Sequence, residues 1–134
     1  MPTTNAESHH GQCLCGGVQY RVAGPLRGVI ACHCSQCRRT SGHYSAYSSA
    51  DSSALTLSAA SSLRWYRSSD TAERGFCERC GSNLFWRQFG SPSISIAAGS
   101  LDGPTGLTLE RHIFVADQGD YYPLDDSVPK LQAW

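Results

Sequence analysis

The chain has 134 residues, enough for one domain with a single modest core. Eleven basic and eleven acidic side chains leave no net charge, which argues against a nucleic-acid footprint and against an acidic tail. With 40 % hydrophobic residues the chain is not disordered in bulk, and no apolar run approaches the ~20 residues of a membrane span.

Residues 1–10 are polar and read as a flexible N-terminal arm without the apolar stretch of a signal peptide, which points to a reducing, cytoplasmic compartment. The single folded domain is then 11–134. Val18, Tyr20 and Val22 alternate with Gln19 and Arg21, the period of a half-buried strand that Gly24-Pro25 ends. Val29–Ala31 is a second short strand, and 35–42 a knuckle with at most a turn of helix. Tyr44 to Ala46 and Leu55 to Leu57 are strands either side of a serine-rich turn at 48–53. Leu63–Tyr66 and Thr71–Phe76 form a hairpin, followed by strands at Leu84–Trp86 and Ser93–Ala97. After a loop at 99–106, Leu107–Leu109 and His112–Phe114 are two further short strands. No stretch carries sustained helical periodicity, so the fold class is all-β (mainly β).

Seven cysteines, an odd number, fall in three tight groups: Cys13 and Cys15; Cys32, Cys34 and Cys37; Cys77 and Cys80. In a reducing compartment such grouping points to metal rather than disulfides. Zn²⁺ suits thiolates and takes four of them in a closed structural site. The Cys13-Leu14-Cys15-Gly16 and Cys77-Glu78-Arg79-Cys80-Gly81 knuckles together supply four. Cys32, Cys34 and Cys37 then remain, and three protein ligands with one open position are the arrangement of a catalytic zinc. Two other partitions stay open. Cys34 and Cys37 could join Cys77 and Cys80 as a ribbon, or His33 or His43 could close the second site.

These motifs resemble the glutathione-dependent formaldehyde-activating enzyme family, which includes centromere protein V. The resemblance rests on Gly11-Gln12-Cys13-Leu14-Cys15-Gly16-Gly17-Val18-Gln19-Tyr20, on Cys32-His33-Cys34-Ser35-Gln36-Cys37-Arg38-Arg39, and on Arg74-Gly75-Phe76-Cys77-Glu78-Arg79-Cys80-Gly81-Ser82-Asn83-Leu84. It implies a β-tent fold of packed antiparallel sheets with two Zn²⁺ sites. One is structural, at Cys13, Cys15, Cys77 and Cys80; the other is functional, at Cys32, Cys34 and Cys37.

The resemblance also implies a carbon–sulfur lyase that adds glutathione or a similar small thiol to an aldehyde such as formaldehyde, giving an S-hydroxymethyl adduct. Three thiolates on a divalent ion leave a charge of −1, which favours thiol binding over carbonyl polarisation at the open position. Arg38, Arg39 and Arg74 are the candidate substrate-binding residues, because guanidinium forks suit the carboxylates of such a thiol. The alternative is a non-catalytic zinc-braced module for a protein partner. A water or exogenous thiol as fourth ligand separates the first reading from the second.

Overall fold

The computed structural model describes residues 8–124 and 127–134. Among the described residues, ten strands fall into two sheets. The smaller has the order β1 (Ser8–Gln12), β2 (Gln19–Ala23), β5 (Leu55–Ala59) and is antiparallel throughout. The larger runs β10 (Leu109–Ile113), β3 (Val29–Cys32), β4 (Ser45–Asp51), β9 (Ser93–Ala97), β8 (Asn83–Gln88), β7 (Ala72–Cys77), β6 (Leu63–Arg67). The mainly β fold of packed sheets is as expected; all neighbours in the larger sheet are antiparallel except β10 with β3, which are parallel.

The core lies where Tyr20 and Val22 of β2 meet Leu84, Phe85, Ile94 and Ile96 of the larger sheet. Period-two side-chain direction explains the division of labour in β9. Ile94 and Ile96 are buried in that core, whereas Ser93 and Ser95 point to the opposite face. Tyr20 meets Phe85 edge to face with ring centroids 5.2 Å apart, a favoured aromatic geometry.

Several expectations need correction. Ser8–His10, assigned to the flexible arm, belong to β1 and pair with Arg21–Ala23 of β2; the rest of that arm, residues 1–7, lies outside the described residues. The turn at 48–53 is in fact mostly strand. β4 continues to Asp51, and only Ser52–Ala54 turn, capped by the Asp51 side chain. The two short strands after residue 106 are one, β10, ended at Phe114 by a left-handed backbone with φ of 55°. The knuckle at 35–42 is a helix of 7 residues, α1 (Ser35–Ser41). Cys34 caps it, its Sγ accepting from the Cys37 N–H at 3.3 Å, and Gly42 closes it.

Candidate metal centres and the cavity beside them

The first cluster joins the two sheets. Cys13 and Cys15 follow β1, Cys77 ends β7, and Cys80 follows in the turn to β8. Gly16 and Gly81 sit at φ of 80° and 77°, the left-handed conformation that lets each knuckle fold back beneath its sulfurs. The four Sγ atoms lie within 4.8 Å of one another. Cys15 Sγ stands 3.7 Å from both Cys13 Sγ and Cys77 Sγ. A disulfide would need ~2.05 Å. A tetrahedron with metal–sulfur bonds of ~2.3 Å has edges of ~3.8 Å, so the arrangement has the dimensions of a metal site. Polar hydrogens converge on the sulfurs: the Val18 N–H donates to Cys13 Sγ at 3.3 Å and the Gly17 N–H to Cys15 Sγ at 3.4 Å. Ser62 Oγ lies 3.2 Å from Cys77 Sγ, and Ser82 Oγ 3.2 Å from Cys80 Sγ. Such donors stabilise thiolates over thiols.

The second cluster is Cys32 at the end of β3 with Cys34 and Cys37 at the start of α1, their sulfurs again within 4.8 Å of one another. Among the described residues no fourth His, Cys, Asp or Glu joins them. The ribbon partition is not the one formed, since Cys34 and Cys37 group apart from Cys77 and Cys80.

A cavity of about 570 Å³ opens directly on Cys32, Cys34 and Cys37. Its floor is the outer face of the larger sheet. Arg74, Trp86, Ser95 and Ser49 line it as successive register partners on β7, β8, β9 and β4.

A family profile described as "Glutathione-dependent formaldehyde-activating enzyme" matches residues 8–117. The chain belongs to this family. A Halomonas elongata protein named "Putative glutathione-dependent formaldehyde-activating enzyme" is 30 % identical over 129 residues, covering 86 % of this chain and 80 % of its own length. A protein named as an uncharacterized lyase in Schizosaccharomyces pombe is 28 % identical, covering 85 % of this chain and 83 % of its own. The crystal structure of a Rhodobacter sphaeroides protein matches with a TM-score of 0.61 at 25 % identity, covering 90 % of this chain and 98 % of that one.

Within this formaldehyde-activating family member, neither cluster includes His33 or His43. His33 is buried, with Nδ1 2.5 Å from the Tyr122 hydroxyl and Nε2 2.9 Å from His112 Nδ1. Burial, reinforced by repulsion from His112 and His43, pulls its pKa down to about 4, so the ring is neutral near pH 7. His43 Nδ1 lies 2.6 Å from the Tyr121 hydroxyl. Neither histidine belongs to the second cluster, so neither closes it.

The three arginines expected at the substrate separate. Arg74 is buried and lines the cavity. Its Nε and Nη2 donate to Gln36 Oε1 at 3.1 and 2.7 Å, and Nη2 also faces Cys37 Sγ at 3.6 Å. Arg38 and Arg39 follow Cys37 on α1 and are not among the lining residues; Arg39 is exposed, and Arg38 is half-buried with its Nε unpaired. The cavity instead includes Arg27 and Tyr47, which lie in no motif of the sequence, and Gln36, which lies within the Cys32–Arg39 motif between two cluster cysteines. Tyr47 shares the cavity face of β4 with Ser49, two residues on, and that period of two is the one sequence signal for it.

Proposed function

We propose that the protein is a zinc-dependent carbon–sulfur lyase that adds a small thiol, glutathione or a close analogue, to an aldehyde such as formaldehyde. One observation carries the reading. Three convergent thiols with no fourth donor among the described residues open on a cavity large enough for a small molecule. A closed structural site would offer neither the vacant position nor the space.

Cys13, Cys15, Cys77 and Cys80 would hold a structural Zn²⁺ and tie the two sheets together. Cys32, Cys34 and Cys37 would hold the second ion. Bound there, a divalent ion supplies a Lewis-acidic position that lowers the pKa of a coordinated thiol, which is otherwise mostly protonated near pH 7.

The chain's own groups then serve the addition RSH + H₂C=O → RSCH₂OH. Sulfur loses its proton to solvent, the C–S bond forms, and the carbonyl π pair passes to oxygen, which takes up a proton. Arg74 sets a positive charge beside the thiolate cluster and limits its net negative charge. Tyr47 faces the same cluster, and burial pushes its hydroxyl up, so it stays protonated and able to donate to the developing alkoxide. Trp86 and Ile113 make part of the wall apolar and thin the water around the reacting atoms.

The test is exchange NMR with ¹³C-formaldehyde and glutathione. Zinc-loaded protein should speed adduct formation over the spontaneous reaction, and Cys34→Ala should abolish the gain. No acceleration with any small thiol would sink the reading.

A further inference from the structure

The far end of the cavity holds a cation, Arg27, that makes no ion pair among the described residues. Arg27 precedes β3, and its N–H donates to the Ser49 carbonyl at 2.9 Å, which seats it at the edge of β4. Its Nε donates to the Gly28 carbonyl at 3.1 Å and its Nη2 to the Tyr47 carbonyl at 3.0 Å. Ser48 Oγ donates back to the Arg27 carbonyl at 2.5 Å. The guanidinium is thereby fixed along one edge. No hydrogen bond among the described residues engages Nη1.

The charge balance at the two ends differs. At the cysteine end, three thiolates holding a divalent ion would carry −1, which the Arg74 charge would offset. At the other end Arg27 stands in a cavity with no aspartate or glutamate among its lining residues. Glu110 acts on Arg27 through space, yet no ion pair joins them among the described residues. Burial lowers the arginine's pKa, as expected of a cation short of counter-charge.

The spacing sets the size of what could bridge the ends. Arg74, Trp86, Ser95 and Ser49 occupy four adjacent strands in register. Three interstrand steps of ~4.8 Å set the backbones of Arg74 and Ser49 about 14 Å apart across the cavity floor. Trp86 offers a flat apolar face along this path, and Ser95 and Ser49 offer hydroxyls. Free formaldehyde or a two-carbon thiol would leave Arg27 untouched. A tripeptide-sized thiol with a carboxylate remote from its sulfur reaches both ends.

We infer that Arg27 is the anion subsite of this cavity, binding the remote carboxylate of a tripeptide-sized thiol whose sulfur lies at Cys32, Cys34 and Cys37. This deepens the thiol-addition reading and rests on it for the placement of the sulfur alone. The shape of the guanidinium matters, since a bidentate fork is fixed by the two carbonyl contacts on its other edge.

Calorimetric titration of the zinc-loaded full chain with glutathione, S-methylglutathione and glutathione diethyl ester tests it. Wild-type protein should bind the diester about ten- to a hundredfold more weakly than glutathione, the scale of one charge-assisted hydrogen-bonded contact. Arg27→Gln should weaken glutathione by the same factor and leave the diester unchanged, while Arg27→Lys should retain part of the preference. S-methylglutathione has no free thiol, so its binding and its loss in Arg27→Gln report the anion subsite apart from the cysteine site. If it responds to Arg27→Gln while glutathione shows no added affinity from its thiol, the subsite stands and the thiol-binding reading fails. Equal wild-type affinity for acid and diester overturns the inference, as does an equal loss of both in Arg27→Gln. Failure of all three compounds to bind overturns it as well.

Discussion

Arg74 Nη2 lies 3.6 Å from Cys37 Sγ while the same guanidinium is held by Gln36 Oε1. Gln36 in turn donates from Nε2 to the Ser68 carbonyl at 3.1 Å, so α1, β7 and the β6–β7 turn meet at one charged side chain. Replacing Arg74 by Met removes the positive charge and leaves a buried anionic cluster unneutralised. The expected result is a Cys32, Cys34, Cys37 site that loses zinc to a competing chelator at least about tenfold more readily, with the other site unaffected. Metal stoichiometry along a chelator titration checks this. A titration unchanged from wild type would remove Arg74 from any role at the cluster.

The two cysteine clusters should differ in what they do for the fold. Cys77 is fully buried, ends β7, and meets Cys15 from across the sheets at 3.7 Å. Cys77→Ala should therefore cost the structural site its closure and with it much of the cooperative unfolding transition, since binding energy at such a site is folding energy. Cys34→Ala should leave a folded protein with about one zinc fewer. Thermal unfolding and elemental analysis of both variants decide the matter. Equal zinc loss with equal unfolding would make the division into a structural and a functional site wrong.

The cysteine sites were legible because their geometry is local. Cys-x-Cys and Cys-x-x-Cys each make one turn, and a glycine after the knuckle marks the backbone reversal. The strand at Ser93–Ala97 was legible too, because isoleucine and serine alternate there. β1 was not, since Ser8–Gln12 presents no large apolar side chain; its inward residues are His9 and Gly11, and Gly11 gives its space to the Tyr20 ring. Serines at 48 and 49 suggested a turn by composition, yet tertiary pairing with β9 draws both into β4. Arg27 was invisible for a different reason. Its place depends on the register of β4, which seats its N–H on Ser49, and no spacing near it announces that long-range contact.

His33 sits between two cluster cysteines, yet its ring bonds outward to Tyr122 and His112. A neutral imidazole donates with one nitrogen and accepts with the other, so both neighbours are satisfied by a single tautomer. The ligand loop is thus tied to β10 and to the segment beyond it. Tyr122→Phe removes one of these bonds without adding volume. It should cost about 1 kcal/mol of stability. It should also speed zinc loss from the Cys32, Cys34, Cys37 site while the first site keeps its ion. Denaturant melts combined with chelator kinetics check both halves, and loss of stability without faster zinc release would confine Tyr122 to a structural role.

Tyr20 gives the core a sensitivity to alkali. The ring is buried against Phe85, and its hydroxyl lies 2.6 Å from Ser100 Oγ. Burial, helped by the charge of Asp102 and opposed by the Ser100 bond, pushes its pKa up to about 12. The ordinary value is about 10, so the unfolded chain loses this proton first as pH rises. The folded state binds more protons in that window, and stability must fall with increasing pH there. The contribution is intact below pH ~10 and lost between ~10 and ~12, at most about 2–3 kcal/mol for a shift of this size. Tyr20→Phe should be less stable than wild type near neutrality by about 1 kcal/mol, for want of the bond to Ser100. Above pH ~10 its stability should fall less steeply than that of wild type, and the two curves should converge. Urea unfolding at a series of alkaline pH values measures both slopes. Parallel curves would mean that the Tyr20 phenol ionises alike in the folded and unfolded chains.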